Sequence, residues 1–293
     1  MAVLFGVLSA LGFGVNDYVA GIAARRISVV TITFWIYVIE LPFFLGATLI
    51  MAPQLDALGL VYGALGGTAA AVGLVAFYRA LAIGRFSVVA AISGGLTAAV
   101  PAAVGYVQGD RIGMASTLGV LAMAVGIVVV TAFERPPEIP ELEREHAQHP
   151  PIRSWFGPDV PLAVFAGLLF SGTFVGLDAG RARAGEWALL ASNVVPVIGL
   201  AVAVAARKLS FGLGIEARRV GAAAIVNALA SLALFAAFGA GALGVASAAA
   251  SFYPVVTGVC AFVFLKERVR VPQAFGLALA VIALGLLAVG ELQ

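Results

Sequence analysis

The sequence predicts an all-α membrane protein of ten transmembrane helices, built as two inverted five-helix repeats, and three observations carry that prediction. Hydrophobic residues fill 62% of the 293 positions and charged residues only 11%, with a mean hydropathy of +1.08; a soluble surface needs far more charge. The chain also repeats itself at an offset of 157: Phe13 falls on Phe170, Arg26 on Arg183, Ala80 on Ala237, Gly84 on Gly241, Asp110-Arg111 on Glu267-Arg268, Gly119 on Gly276 and Glu134 on Glu291. Finally, runs long enough to cross a bilayer, which takes ~20 residues, occur ten times, five on each side of a polar linker. Five is odd, so the second copy enters from the opposite face and the copies are related by a two-fold axis in the membrane plane.

The first repeat (residues 1–133) holds apolar runs at 2–23, 29–52, 57–82, 86–107 and 112–133. No basic stretch or cleavage site follows Met1, so the first run reads as a retained span. The third carries Gly63, Gly66, Gly67 and Gly73 and the fourth Gly94-Gly95, small residues that let helix backbones approach closely. Residues 134–158 hold six of the thirteen prolines, five glutamates and three arginines, which reads as a solvated linker. The second repeat (159–293) has runs at 159–180, 187–206, 218–240, 244–265 and 271–290. Pro42, Pro101, Pro196 and Pro254 each lack the amide hydrogen a helix interior needs and predict kinks.

Fourteen of the seventeen Lys and Arg residues lie in the odd-numbered loops and three in the even-numbered ones. The positive-inside bias therefore puts the odd loops in the cytoplasm and both termini outside. The one cysteine, Cys260, sits in an apolar run as a packing residue. Both histidines, His146 and His149, lie in the linker, so no imidazole relay or metal site is expected among the spans, and no nucleophile elbow or paired acidic motif appears.

Glu40 is the outstanding ionisable group: it stands near the middle of the second span with Tyr37 one turn before it and Pro42 just after. Inserting a charge there costs ~2.5–3.5 kcal/mol, so Glu40 either carries protons across or remains a neutral acid bonded to a neighbouring helix. In the seventh span Asn193 precedes Pro196, matching Glu40 and Pro42 after a local shift of three, and interrupted helices at corresponding places in two halves point to a central site. Asn193 either contacts a polar substrate or makes an interhelical bond. Asn16 and Asp17 end the first span as Asp178 ends the sixth; they could line the two mouths of a pathway, with Asp17 near Arg25 or Arg26 and Asp178 near Arg181, or serve as caps and interfacial ion pairs. Arg79, with Tyr78, could receive a substrate carboxylate, or it snorkels to the interface. Asn227 and Ser231 share a face of the eighth span, and Ser247, Ser251 and Tyr253 continue a polar run in the ninth, loosely matched by Ser93 and Thr97 in the fourth. These hydroxyls either line a cavity or bond their own helix carbonyls. Trp35 and the phenylalanines read as packing or interfacial anchors.

Tyr78-Arg79-Ala80-Leu81-Ala82-Ile83-Gly84 followed by Ser87-Val88-Val89-Ala90, with Gly109-Asp110-Arg111 before the fifth span, resembles the first repeat of the EamA branch of the drug/metabolite transporter superfamily. Tyr253-Pro254-Val255 and Lys266-Glu267-Arg268 resemble the matching motifs of its second repeat, although Thr97 stands where the second copy has Pro254. The resemblance covers the chain apart from the linker. It implies a secondary transporter, an exporter of a small metabolite such as an amino acid or a similar amphipathic solute, working by alternating access with possible proton coupling. It also implies a bacterial cytoplasmic membrane, function as a monomer, no cofactor, and no partners beyond a small-molecule substrate and the lipid bilayer. Many ten-span relatives place their termini in the cytoplasm, opposite to the charge tally here. An uncoupled facilitator, a lipid or head-group flippase, and an intramembrane enzyme are the alternatives; the last lacks converging catalytic groups. Nucleic-acid binding finds no support in a net charge of +2.

Overall fold

In the computed structural model of the chain, residues 1–51, 53–83, 86–110, 113–132, 159–265 and 271–291 are described. The linker reading and the turn residues Gly84, Arg85, Arg111 and Lys266-Glu267-Arg268 lie outside them. The described residues form eleven α-helices, one short 3₁₀ turn (Gly214–Glu216) and no strand. In chain order they are α1 (Ala2–Ala23), α2 (Val29–Met51), α3 (Ala57–Ile83), α4 (Phe86–Gln108), α5 (Met114–Ala132), α6 (Asp159–Ala184), α7 (Glu186–Ala206), α8 (Ala217–Phe238), α9 (Leu243–Ala250), α10 (Tyr253–Leu265) and α11 (Val271–Glu291). Seven stretches are long and apolar enough to cross a membrane, with shorter apolar helical stretches at Met114–Ile127 and Ala278–Gly290. These lengths point to a multi-pass membrane protein.

The one element that departs from the expected outline is the ninth apolar run, which is two helices rather than one kinked at Pro254. Pro254 has no amide hydrogen to offer the turn before it, and the chain breaks at Ser251-Phe252. Tighter bonds fill the gap: Phe252 N donates to Ala249 O at 3.3 Å and Val255 N to Phe252 O at 3.0 Å. By contrast α2, α4 and α7 run unbroken through Pro42, Pro101 and Pro196.

Packing places α3 against α6 and α7, α1 against α8, α9 and α10, α4 against α6, α2 against α7 and α8, and α5 against α11. Small residues make the α3 contacts possible. Gly176 of α6 packs on Gly66, Gly180 on Gly59 and Gly63, and a Cβ on Gly67 would occupy the place of the Ser192 carbonyl of α7. Pro196 leaves that carbonyl without its donor one turn later, so a bare glycine backbone meets an oxygen the helix cannot satisfy.

The described loops gather at two ends of the bundle. At one, Arg26 after α1 reaches Glu216 at 3.0 Å, Arg219 reaches the same carboxylate at 3.3 Å, Thr31 Oγ1 donates to Ser210 O at 2.8 Å, and Trp35 Nε1 donates to Phe211 O at 2.6 Å. At the other, Arg183 Nε meets Asp56 Oδ1 at 3.2 Å and Trp187 Nε1 donates to Pro53 O at 3.1 Å. Asp56 caps α3 there by accepting Gly59 N at 2.6 Å. That amide bond first, and Arg183 after it, hold the Asp56 carboxyl below the ordinary aspartate range.

Gly67→Ala should shift the α3–α7 contact and lower thermal stability in detergent by about 1–3 kcal/mol, the usual cost of overpacking. Gly199→Ala, at a site where an added Cβ meets nothing within 4 Å, should leave stability unchanged. Equal melting of both variants and the parent would show that the glycine contact is not limiting.

Candidate functional site

Glu40 lies eleven residues from each end of α2, about 16 Å of helix either way at 1.5 Å per residue, and is 3% exposed. An unpaired carboxylate there would be far too costly, and two helices supply donors. Asn193 Nδ2 of α7 donates to Oε2 at 2.8 Å, and Asn227 Nδ2 of α8 donates to Oε1 at 2.5 Å. Ser231, one turn after Asn227 on the same face, lines the cavity that Glu40 faces. The amide nitrogens must face inward, since an amide oxygen turned toward a carboxylate would set acceptor against acceptor. Asn193 Oδ1 is consequently buried with no partner.

A second polar group lies toward the α1–α2 loop. Asn16 Nδ2 donates to the Tyr78 hydroxyl at 3.0 Å, and that hydroxyl donates to Asp17 Oδ1 at 3.4 Å. Asp17 is 6% exposed and Tyr78 wholly buried. Asp17 therefore does not stand in an interfacial pair with Arg25 or Arg26; Arg26 is engaged by Glu216 instead. Tyr37, one turn before Glu40, donates to Gly67 O at 3.2 Å.

Between these groups lies a cavity of about 110 Å³, onto which Glu40, Asp17, Tyr37, Asn193, Asn227, Ser231, Thr97 and Tyr253 all face. Apart from Thr173 and Ser192, the rest of the lining is apolar or aromatic, with Phe13, Phe44, Phe170 and Phe174 foremost. Apolar clusters flank it toward the two ends of the bundle. Ile32, Ile36, Phe77, Leu81, Val204 and Val220 pack toward the α1–α2 and α7–α8 loops. Phe44, Leu177, Leu189, Leu234, Phe238 and Leu243 pack toward the other end.

The structure thus unites Glu40, Asn193, Asn227 and Ser231, which are scattered over three spans in sequence. Other expected site residues fall elsewhere. Arg79 is exposed, as snorkelling requires, and is parted from the buried Tyr78, so the two do not form one carboxylate receptor. Asp178 is half-buried beside Asp110 and Arg181 and off the cavity; Arg181 stacks its guanidinium over Phe235 at 5.3 Å. Ser93 donates to Val89 O at 2.9 Å and Thr97 to Ser93 O at 2.7 Å, the helix-satisfying role, while Tyr253 lies 3.4 Å from Ser93. Ser251 is buried at the break before α10, without a partner and off the cavity. Of the prolines, Pro42 and Pro196 flank the Glu40–Asn193 pair in their own helices.

Thr173, Ser192 and the four phenylalanines are lining residues that the sequence reading did not single out. A signal existed: at the 157-residue offset Thr173 is the counterpart of Asn16, Phe170 of Phe13 and Phe174 of Asp17. Among the described residues no group of three or more His, Cys, Asp or Glu side chains could hold a metal ion.

No protein-family model matches the chain, and no curated protein matches it. Among solved structures, one described only as "Crystal structure of protein" is similar in fold, with a TM-score of 0.70 at 15% identity, covering 97% of this chain and 95% of the other.

Asn227→Leu and Asn193→Leu each strip a donor from a buried carboxyl and should each cost about 1–3 kcal/mol in detergent unfolding. Glu40→Gln should cost less, because Asn193 can turn its unused oxygen toward the new amide. A larger loss for Glu40→Gln than for either leucine variant would contradict this bonding scheme.

Proposed function

We propose that the chain is a secondary transporter of a small metabolite, an EamA-type member of the drug/metabolite transporter superfamily. In this reading ten spans form two inverted repeats in a bacterial cytoplasmic membrane. The carrying observation is a mid-helix carboxyl, bonded from two other helices, that faces a cavity at the centre of the bundle with apolar clusters toward either end. A central site between the two halves suits alternating exposure.

The packing supports the two-fold reading. Exchanging each helix with its counterpart 157 residues away turns α3 on α6 into α8 on α1, α4 on α6 into the broken ninth span on α1, and α3 on α7 into α8 on α2, and all of these contacts occur. The cavity follows the same rule: Phe13 and Phe170, Asp17 and Phe174, Ala70 and Asn227, and Leu74 and Ser231 are lining pairs at that offset. Segregation of odd and even loops to opposite ends agrees with the 14 to 3 charge split and with outside termini.

Glu40 is the coupling group. Its two oxygens now accept amide hydrogens; a proton on either oxygen adds a donor, which an asparagine can meet by rotating to present its oxygen. The amides belong to α7 and α8 while Glu40 belongs to α2, so proton uptake rearranges an interhelical contact at the centre of the bundle. Such a contact can bias which end of the bundle opens. Outward transport of solute in exchange for protons is the expected direction.

The test is uptake and counterflow of a mixed metabolite panel in proteoliposomes, with and without an imposed pH gradient, for the parent and Glu40→Gln. Gradient-driven flux in the parent and its loss in the variant are expected. Flux that ignores both the gradient and the substitution would make the protein an uncoupled facilitator; no flux of any solute would remove the transport reading.

A further inference from the structure

We propose that the cavity selects an amphipathic organic ammonium ion, one with at least one N–H and an aryl or branched alkyl body, over the matching zwitterion, anion or alcohol. This rests on the transporter reading only for the word substrate; the selectivity follows from the lining itself. Two carboxyl groups, Glu40 and Asp17, face the space and no Lys, Arg or His does. Donors are already committed. The hydroxyls of Tyr37, Thr97, Thr173 and Ser192 donate to helix carbonyls. Asn193 and Asn227 are turned to Glu40. Each amide nitrogen keeps one further hydrogen, but neither is charged.

The unused capacity is on the acceptor side. Asn193 lines the cavity and its Oδ1, in a residue with no exposed surface, has no partner. An ammonium nitrogen bonded to that oxygen and to a Glu40 oxygen would satisfy both, and a charge-assisted bond of this kind is about twice as strong as a neutral one. A solute carboxylate would find no cation and would face two acidic groups, an arrangement that costs far more than it returns.

The body of the ligand is set by the aromatic lining around the two carboxyls. Phe13 stands one turn from Asp17 on α1 and Phe44 one turn from Glu40 on α2, while Phe170 and Phe174 face the same space from α6. The acidic groups are thus set among aromatic side chains. A solute with a charged head and an apolar body fits this lining, whereas a sugar or a polar dication would leave hydroxyls or a second charge against phenylalanine.

Binding is measured on detergent-solubilised full-length protein by titration calorimetry, using phenethylammonium, L-phenylalanine, 3-phenylpropionate and 2-phenylethanol, which share one body and differ in head group. Phenethylammonium should bind at least about tenfold more tightly than the other three, the span expected for a charge-assisted bond. Glu40→Gln should weaken it about 10- to 100-fold, Asp17→Asn by a smaller factor, and Phe170→Leu should weaken the amine and the alcohol alike. Absence of phenethylammonium binding, equal or tighter binding of the zwitterion or anion, or affinity indifferent to both acidic substitutions would overturn the proposal. Flux of the same four solutes into proteoliposomes separates the two readings. Cation-selective binding without flux would leave this site standing and remove transport, whereas flux of the zwitterion without amine binding would do the reverse.

Discussion

The structure depends on one constraint, the placing of a carboxyl group at the middle of a helix that lies within an apolar bundle. Glu40 cannot stand there alone. Its two oxygens take hydrogens from Asn193 and Asn227, so α2 must lie between α7 and α8 at a fixed depth and rotation. Sliding any of the three helices by one turn would withdraw at least one donor and leave a carboxyl oxygen without its partner. Apolar side chains packed against lipid-like neighbours are tolerant of such sliding; a buried acid with directed bonds is not.

That contact requires others. Helix α7 reaches Glu40 while also lying against α3, which it does across Gly63 and Gly67, where Ala188 and Ser192 take the space side chains would fill. Helix α3 in turn lies on α6 through Gly59, Gly66, Gly176 and Gly180. The close approach is what brings Phe170, Phe174 and Thr173 of α6 to the same cavity as Glu40. Glycine positions on α3 thus determine which side chains can line the cavity. Pro196 adds a further link, since the carbonyl it leaves free is the one that meets Gly67.

The helices were legible because apolar runs of bilayer length with charged punctuation leave little freedom: the expected 2–23, 57–82 and 187–206 are Ala2–Ala23, Ala57–Ile83 and Glu186–Ala206. Glu40 was legible for a related reason, as an acid amid twenty apolar neighbours stands out. Its bonding to Asn193 and Asn227 was not, because interhelical pairing depends on rotation about helix axes, which periodicity fixes poorly when a helix is apolar all round. Whether Asp17 lines a pathway or pairs with an interfacial arginine was open in the sequence for the same reason. It lies six residues from the end of α1, where either a loop arginine or Tyr78 could meet it, and rotation alone decides. The break before α10 was missed since Pro254 signals a fault in the helix but not how the freed groups re-pair.

The two ends of the bundle are held by unlike interactions. Glu216 is nearly inaccessible, at 2% side-chain exposure, and two arginines from different segments share it. The Arg183–Asp56 contact at the other end has both partners well exposed, at 47% and 38%, so water and salt replace it at little cost. Separating Arg26 from Glu216 instead withdraws one of two cations from a carboxylate that has little access to water. One end of the bundle is in this way fastened by a buried carboxylate between two exposed arginines, and the other by an ion pair that solvent reaches on both sides.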